Sequence, residues 1–442
     1  MRLAGRSASP LALLLALFGA CATSAPAPTG PPPAPAPEWR QARAAMRKAC
    51  GAKQWDACLA ATERAAQATS GNADLVYNLG AIASLRGDKE AALAGLARYA
   101  ALGLGFDAAA DDDFAPLKGD PRFAALVGRL AQNRAPLGAF TEAARLSPND
   151  LLTEDVVRDP AAKAFYVSSI HTRQVLALPD GGPPRPLLAA APGRFGMMAL
   201  GLDPAGGRLW VTTAAMPQAG PFSAADAGRT ALLSVSLRDG SVLRRFDLGA
   251  AGEQHALGDL TVGPDGAVYL CDGLGAGVFR LAPGGSAVEP LAGRADFLSP
   301  QTPAFEARSN TLYVPDYLRG LARLDLRTGA VRWVAHGDDV ALNGLDGLYL
   351  RSPRELLAVQ NGTVPPRVLR LRLDDTGDRV LSAEVLARGA PLGDPTHGAL
   401  VGDDFVVLAH SGWGSFGDDG AVKPGEPKEA PRLLRLPLGP RR

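Results

Sequence analysis

The chain has 442 residues, 46 Lys plus Arg against 45 Asp plus Glu, and is rich in turn formers, with 51 Gly and 37 Pro. Such a length points to about three domains. The formal charge of +1 excludes the basic surplus of a nucleic-acid binder, and 47% hydrophobic residues suffice for a packed core.

Arg2 and Arg6 precede the apolar stretch 11–20 (LALLLALFGA), the pattern of an export signal over residues 1–20. Beyond it no apolar run reaches the roughly 18 to 20 residues that cross a bilayer. Phe18-Gly19-Ala20-Cys21 resembles a bacterial lipobox, with Phe where Leu is usual. That resemblance implies lipid on Cys21, and Ala22 in place of Asp implies the periplasmic face of the outer membrane. An ordinary cleavable signal with an incidental Cys is the other reading. Residues 21–37 then form a Pro/Ala-rich tether, with seven prolines and no charge between 22 and 37. At ~3.1 Å per residue such a segment spans on the order of 50 Å.

Residues 38–135 carry helical periodicity. Segments 38–50 and 55–67 predict one hairpin, 74–86 and 89–101 a second, and 113–132 a capping turn and helix, with stops at Gly51 and Gly87. Leu79, Gly80, Gly87, Ala92 and Leu96 stand at spacing that resembles a tetratricopeptide repeat. Such an array binds a protein partner on a concave face or serves as a packing shoulder. The first hairpin brings Cys50 near Cys58, and an exported chain meets oxidising conditions, so a disulfide is expected there. Cys271, after the apolar run AVYL, reads as a core residue.

From 137 to 442 the pattern changes to short β-branched and aromatic runs broken by Gly, Pro and Asp. A phrase of apolar strand, tight turn and second apolar strand recurs six times, beginning at Asp155, Leu200, Asp259, Pro303, Gly347 and Gly398. A period near 50 residues with four short strands per unit predicts an all-β six-bladed β-propeller. The absence of intervening helical patterns excludes a TIM barrel.

Aligned on the second strand, the copies place Glu154, Met198, Gly258, Gln301, Asp346 and His397 at one mouth of the central channel, with Asp259 one position further in. Oxygen ligands converging there suit a hard cation such as calcium; a polar, water-filled channel without an ion is the alternative. Loops after the second strands return to the same mouth with His171, Asp316, Tyr317, Asn361, His410 and Trp413. His171 and His397 are candidate general bases, and His410, Trp413, Asn361, Asp316 and Tyr317 candidate binding residues. No nucleophile-elbow GxSxG, P-loop, dinucleotide fingerprint, HExxH or CxxC is present.

The blades resemble the regucalcin and gluconolactonase family, of senescence-marker-protein type, and more distantly paraoxonases and strictosidine synthase. The resemblance implies an axial divalent metal, with Glu154 as first ligand and Asp346, in Leu345-Asp346-Gly347, as last ligand and participant in lactone hydrolysis. Gln301 stands in place of one family Asn and Gly258 in place of another, with Asp259 following it. The implied metal set is therefore Glu154, Gln301, Asp346 and Asp259, holding calcium or another divalent cation. Asp346, His171 and His397 are the catalytic candidates. Three functions follow as expectations: metal-dependent hydrolysis of a lactone or related ester, non-catalytic binding of a sugar derivative or peptide, and an envelope scaffold.

Overall fold

The computed structural model describes residues 38–146, 152–249, 253–424 and 429–439. The export signal, Cys21 and the tether lie outside these residues. The chain divides into two compact units between Asn133 and Arg134.

The first unit is helical: α1 Glu38–Gly51, α2 Trp55–Ala68, α3 Ala73–Leu85, α4 Lys89–Ala101, a 3-10 turn Asp112–Leu117 and α5 Pro121–Arg134. Starts are set by side chains that satisfy first-turn amides, since Asn72 accepts from Asp74 and Leu75, and Asp88 from Ala91. Cys50 and Cys58 are joined in a disulfide between α1 and α2. The small residues of the second hairpin do steric work, because a Cβ on Gly95 would lie 2.8 Å from the Cα of Gly80. No helix among the described residues is long and apolar enough to cross a membrane.

The second unit is a six-bladed β-propeller, each blade a four-stranded antiparallel sheet. Blade one is β2 Thr153–Asp159, β3 Ala164–Ser169, β4 Gln174–Pro179 and β5 Arg185–Leu188. Blade two is β6 Gly196–Asp203, β7 Arg208–Ala214, β8 Thr230–Ser236 and β9 Val242–Leu248. Blade three is β10 Leu257–Val262, β11 Val268–Asp272, β12 Gly277–Leu281 and β13 Val288–Ala292. Blade four is β14 Ala304–Glu306, β15 Thr311–Asp316, β16 Gly320–Asp325 and β17 Val331–Trp333. Blade five is β18 Leu345–Ser352, β19 Glu355–Gln360, β20 Arg367–Leu373 and β21 Val380–Arg388. Blade six takes β22 Gly398–Val401, β23 Asp404–Ala409 and β24 Arg432–Pro437 from the end of the chain, and its outer strand, β1 Thr141–Arg145, from the start of the unit. This exchange ties the ring shut.

The apolar core lies between blades. Tyr166 and Val175 of blade one share a cluster with Leu200 and Val211 of blade two, and the pattern repeats round the ring until Val406 and Leu408 of blade six meet Val156 and Val167 of blade one. Each sheet is thus buried on both faces, which explains why its strands read as continuous apolar runs rather than alternating ones. The first strands of the blades touch one another at the axis. Pairing slips at their upper ends, between Thr153 and Val156, Met197 and Leu200, Leu257 and Asp259, and Leu345 and Leu348. Such bulges re-aim side chains, and in blades one, three and five they occur where polar axial residues stand.

Candidate axial site

Five residues from four first-strand ends converge on the axis: Glu154 and Asp155 of blade one, Asp259 of blade three, Asp346 of blade five and His397 before blade six. None is more than 5% exposed. Ligating atoms of Asp259, Asp346 and His397 lie within 4.8 Å of one another. Nδ1 of His397 donates to the main-chain oxygen of Glu154 at 2.7 Å, which Thr396 Oγ1 also reaches at 2.6 Å. Thr302 Oγ1 donates to Asp259 Oδ1 at 2.5 Å and lies 2.7 Å from His397 Nε2, which is itself 3.1 Å from Asp259. With the threonine proton on Asp259, Nε2 is the donor to Thr302. Both ring nitrogens then carry hydrogen, and His397 is the cation of the cluster.

The electrostatics agree. Burial opposes the charge on His397, yet the carboxylates of Asp155, Asp259 and Asp346 hold its pKa well above the ordinary value. Burial pushes Asp155 up to about 6, Asp346 to about 7 and Glu154 to about 8, each moderated by His397. Asp155 is tied to the sheet by the amides of Val156 and Leu200 at 2.7 Å.

The loops after the second strands supply the surroundings. Trp413 Nε1 donates to Glu154 Oε2 at 2.6 Å. Asn361 Nδ2 donates to Asp346 Oδ2 at 2.5 Å and to the Pro395 carbonyl at 3.0 Å, while its Oδ1 accepts from Tyr317 at 3.0 Å. Gln301 turns its amide nitrogen to Ser299.

The other expected residues go elsewhere. Asp316, offered as a binding residue, spends both oxygens on backbone: Oδ2 on Leu298 and Ser299, Oδ1 on Leu318 and Arg319. It is a loop cap, fully buried. His171, offered as a base, bonds the Gln218 carbonyl at 2.8 Å and packs on Phe416 at 4.9 Å. His410 adopts a positive φ of 53° and bonds the Pro391 carbonyl at 3.1 Å. Neither histidine makes a hydrogen bond to the axial cluster. Thr302, Asp155 and Thr396 escape the sequence reading. Their signal is adjacency: each neighbours an aligned residue, and in blade one a bulge lets both neighbours serve the same centre.

Asp346 Oδ1 and Gln301 Oε1 are among the buried oxygens that lack a partner within the described residues. Gly258 is buried, yet a Cβ built on it would meet nothing within 4 Å. A buried carboxylate oxygen without a partner in a cluster of close ligating atoms fits a divalent cation. Beneath the cluster the channel continues as a cavity of about 260 Å³, with Asp155, Thr302 and Tyr349 at its polar end and Val157, Leu202, Val262 and Leu400 along its wall.

Fold and site together define a six-bladed propeller with a buried axial carboxylate–histidine cluster. No protein-family profile and no curated protein sequence matches the chain. Similar solved structures include a gluconolactonase from Xanthomonas campestris, 18% identical, covering 69% of this chain and 99% of its own with a TM-score of 0.44. A calcium-binding regucalcin from Agrobacterium tumefaciens is 19% identical, covering 68% and 92% with a TM-score of 0.46. The PQQ-bound aldose sugar dehydrogenase from Streptomyces coelicolor is 14% identical, covering 68% and 99% with a TM-score of 0.45.

Proposed function

We propose that the propeller is a divalent-metal-dependent hydrolase of a lactone or related ester, acting at the axial cluster. The observation that carries this reading is the buried cluster of Asp259, Asp346 and His397, with ligating atoms within 4.8 Å of one another, in which Asp346 Oδ1 has no partner among the described residues. Asp346, Gln301 and Glu154 would hold the cation, with Asp259 alongside, and calcium suits these hard oxygens. When bound, such an ion polarises a carbonyl as a Lewis acid. Asp346 is oriented by Asn361, itself fixed by Tyr317, and is the group that accepts a proton from the attacking water. His397 supplies positive charge and holds Asp259 in place. Trp413, covering Glu154, limits water around the cluster.

One observation favours a second, non-catalytic reading as a ligand-binding or assembly scaffold: Thr302 and His397 already satisfy Asp259, so that carboxylate has its counter-charge without a metal. Metal analysis of purified protein, with hydrolysis of a panel of lactones and aryl esters before and after chelation, separates the two. Bound metal and activity lost in Asp346→Asn support the hydrolase; neither metal nor turnover leaves the scaffold. We also propose that Cys21 is lipidated and anchors the chain to the envelope. Cys21→Ser then moves it from the membrane to the soluble fraction, and persistence in membranes at the same processed size refutes the anchor.

A further inference from the structure

The face opposite the axial cluster carries a second concave site, formed where the first-to-second strand turns of blades two and three and the β12–β13 turn meet. The cleft holds about 510 Å³ and shares Leu202 and Val262 with the channel wall. Its volume lies within the range of small-ligand pockets, roughly 300 to 1,000 Å³.

The cleft contains polar groups that the fold does not use. Trp210 is 4% exposed and lines it, yet its indole N–H has no acceptor among the described residues. Burying an indole donor without a partner is costly, and such groups ordinarily find one. Arg244 reaches across the seam between blades, donating through Nη2 to the Gly285 carbonyl at 2.6 Å and lying over Phe246 at 4.6 Å. That single bond fixes the guanidinium and leaves its other donors. Arg208 is ion-paired with Asp203, its Nε 3.2 Å from Oδ2 without forming a hydrogen bond, and lies over Trp210. Asp265, on the exposed turn of blade three, uses only Oδ1, which accepts from Ala267 at 3.1 Å. Pro204, Pro264 and Pro283 supply rigid apolar walls.

The guanidinium of Arg244, that of Arg208 beyond its pairing with Asp203, and an indole N–H call for an acceptor-rich anion, and the remaining carboxylate oxygen of Asp265 calls for a hydroxyl. We propose that this cleft is a second binding site, for a small hydroxylated organic anion. Its carboxylate or phosphate engages Arg244 and Arg208, an oxygen accepts from Trp210, a hydroxyl donates to Asp265, and the carbon body rests on the prolines. The site is independent of the axial cluster.

Calorimetric titration of the whole protein with glycerol 3-phosphate, glycerate and inorganic phosphate tests this. Saturable binding of glycerol 3-phosphate or glycerate is expected, and the stronger of the two tells which anion the site takes. Arg244→Gln weakens it roughly tenfold or more, the value of a charge-assisted hydrogen bond, and Trp210→Phe about two- to tenfold, that of a neutral one. Ala282→Phe, which fills the cleft without touching a polar group, abolishes binding, and Asp346→Asn leaves it unchanged. Circular dichroism shows that each variant is folded. No heat with any probe, or affinity indifferent to both Arg244→Gln and Ala282→Phe, overturns the site. Equal affinity for inorganic phosphate overturns the hydroxylated ligand.

Discussion

His397 bridges the axis between Glu154 and Asp259, its Nδ1 2.7 Å from the carbonyl oxygen of the first and its Nε2 3.1 Å from the carboxylate of the second. A carbonyl can only accept, so Nδ1 carries a proton, and the chain from Nε2 through Thr302 to Asp259 places another on the opposite nitrogen. The imidazolium is therefore a structural counter-charge for the surrounding carboxylates. Removing one partner of a buried ion pair strands the other at a cost of about 3–5 kcal/mol. His397→Ala should destabilise the propeller by that amount in urea unfolding, and Asp259→Asn in the same background should return part of it. A loss under about 1 kcal/mol, typical of a surface pair, would show that the cluster does not depend on this charge.

The pH dependence follows from the same groups. Asp155, Asp346 and Glu154 have native pKa values of about 6, 7 and 8, against about 4 in an unfolded chain. His397 is also raised in the native state. Between the unfolded and native values the native state binds more protons, so stability falls as pH rises through that interval. All four groups act with this sign. In chelator, the melting temperature of the propeller should fall steadily from about pH 5 to about pH 8, the window set by the three carboxyl values. A melting temperature that rises over this window would mean that the carboxyls are ionised at little cost, contrary to their burial.

The propeller is legible in the sequence because each blade repeats a local unit, strand–turn–strand, whose Gly and Asp punctuation survives whatever the neighbours do. Ring closure is less legible: β1, Thr141–Arg145, completes blade six only through pairing with β24, Arg432–Pro437, a partner nearly the whole unit away. At the site, alignment brings Glu154, Asp346 and His397 to one end of the axis because the first strands share one origin. It cannot rank the loops. Asp316 and Asn361 occupy equivalent places just after or at the end of second strands, yet one caps its own loop and the other orients Asp346. That difference lies in loop backbone direction, which the two residue types do not encode. Asp155 is hidden by the bulge of blade one, which breaks the alternation on which inward and outward faces are read, and Thr302 lies before β14 begins.

The Cys50–Cys58 disulfide closes a short loop, eight residues in separation. On the loop-entropy relation its loss costs about 2.5 kcal/mol. Cys50→Ser with Cys58→Ser should lower the stability of the helical unit by that order in denaturant titration. Alkylation of unreduced, denatured protein should label Cys271 but neither hairpin cysteine, whereas native protein resists labelling at Cys271, which is fully buried. A thiol titrating at Cys50 or Cys58 without reductant would contradict the bond.

The decisive prediction concerns Gly258. A ligand that binds only the native state stabilises it by RT ln(1 + [L]/Kd), about 2.7 kcal/mol at a hundredfold excess over Kd. Calcium should therefore raise the melting temperature of chelator-stripped protein, and Asp346→Asn and Glu154→Gln should each diminish the rise. Gly258 is buried beside the same axis, has no neighbour within 4 Å of its Cβ direction and does not require a positive φ. Gly258→Asn thus meets no obstacle at its Cβ, and an amide oxygen there would add a ligand from blade three, where at present only Asp259 contributes. The variant should bind calcium more tightly, by roughly tenfold, equivalent to about 1.4 kcal/mol, seen as a larger melting shift at subsaturating metal. The opposite charge logic gives the counter-case. Without a metal site the added amide has no ion to ligate, so Gly258→Asn leaves the melting curve indifferent to calcium and chelator, as in the parent protein, and the scaffold reading stands.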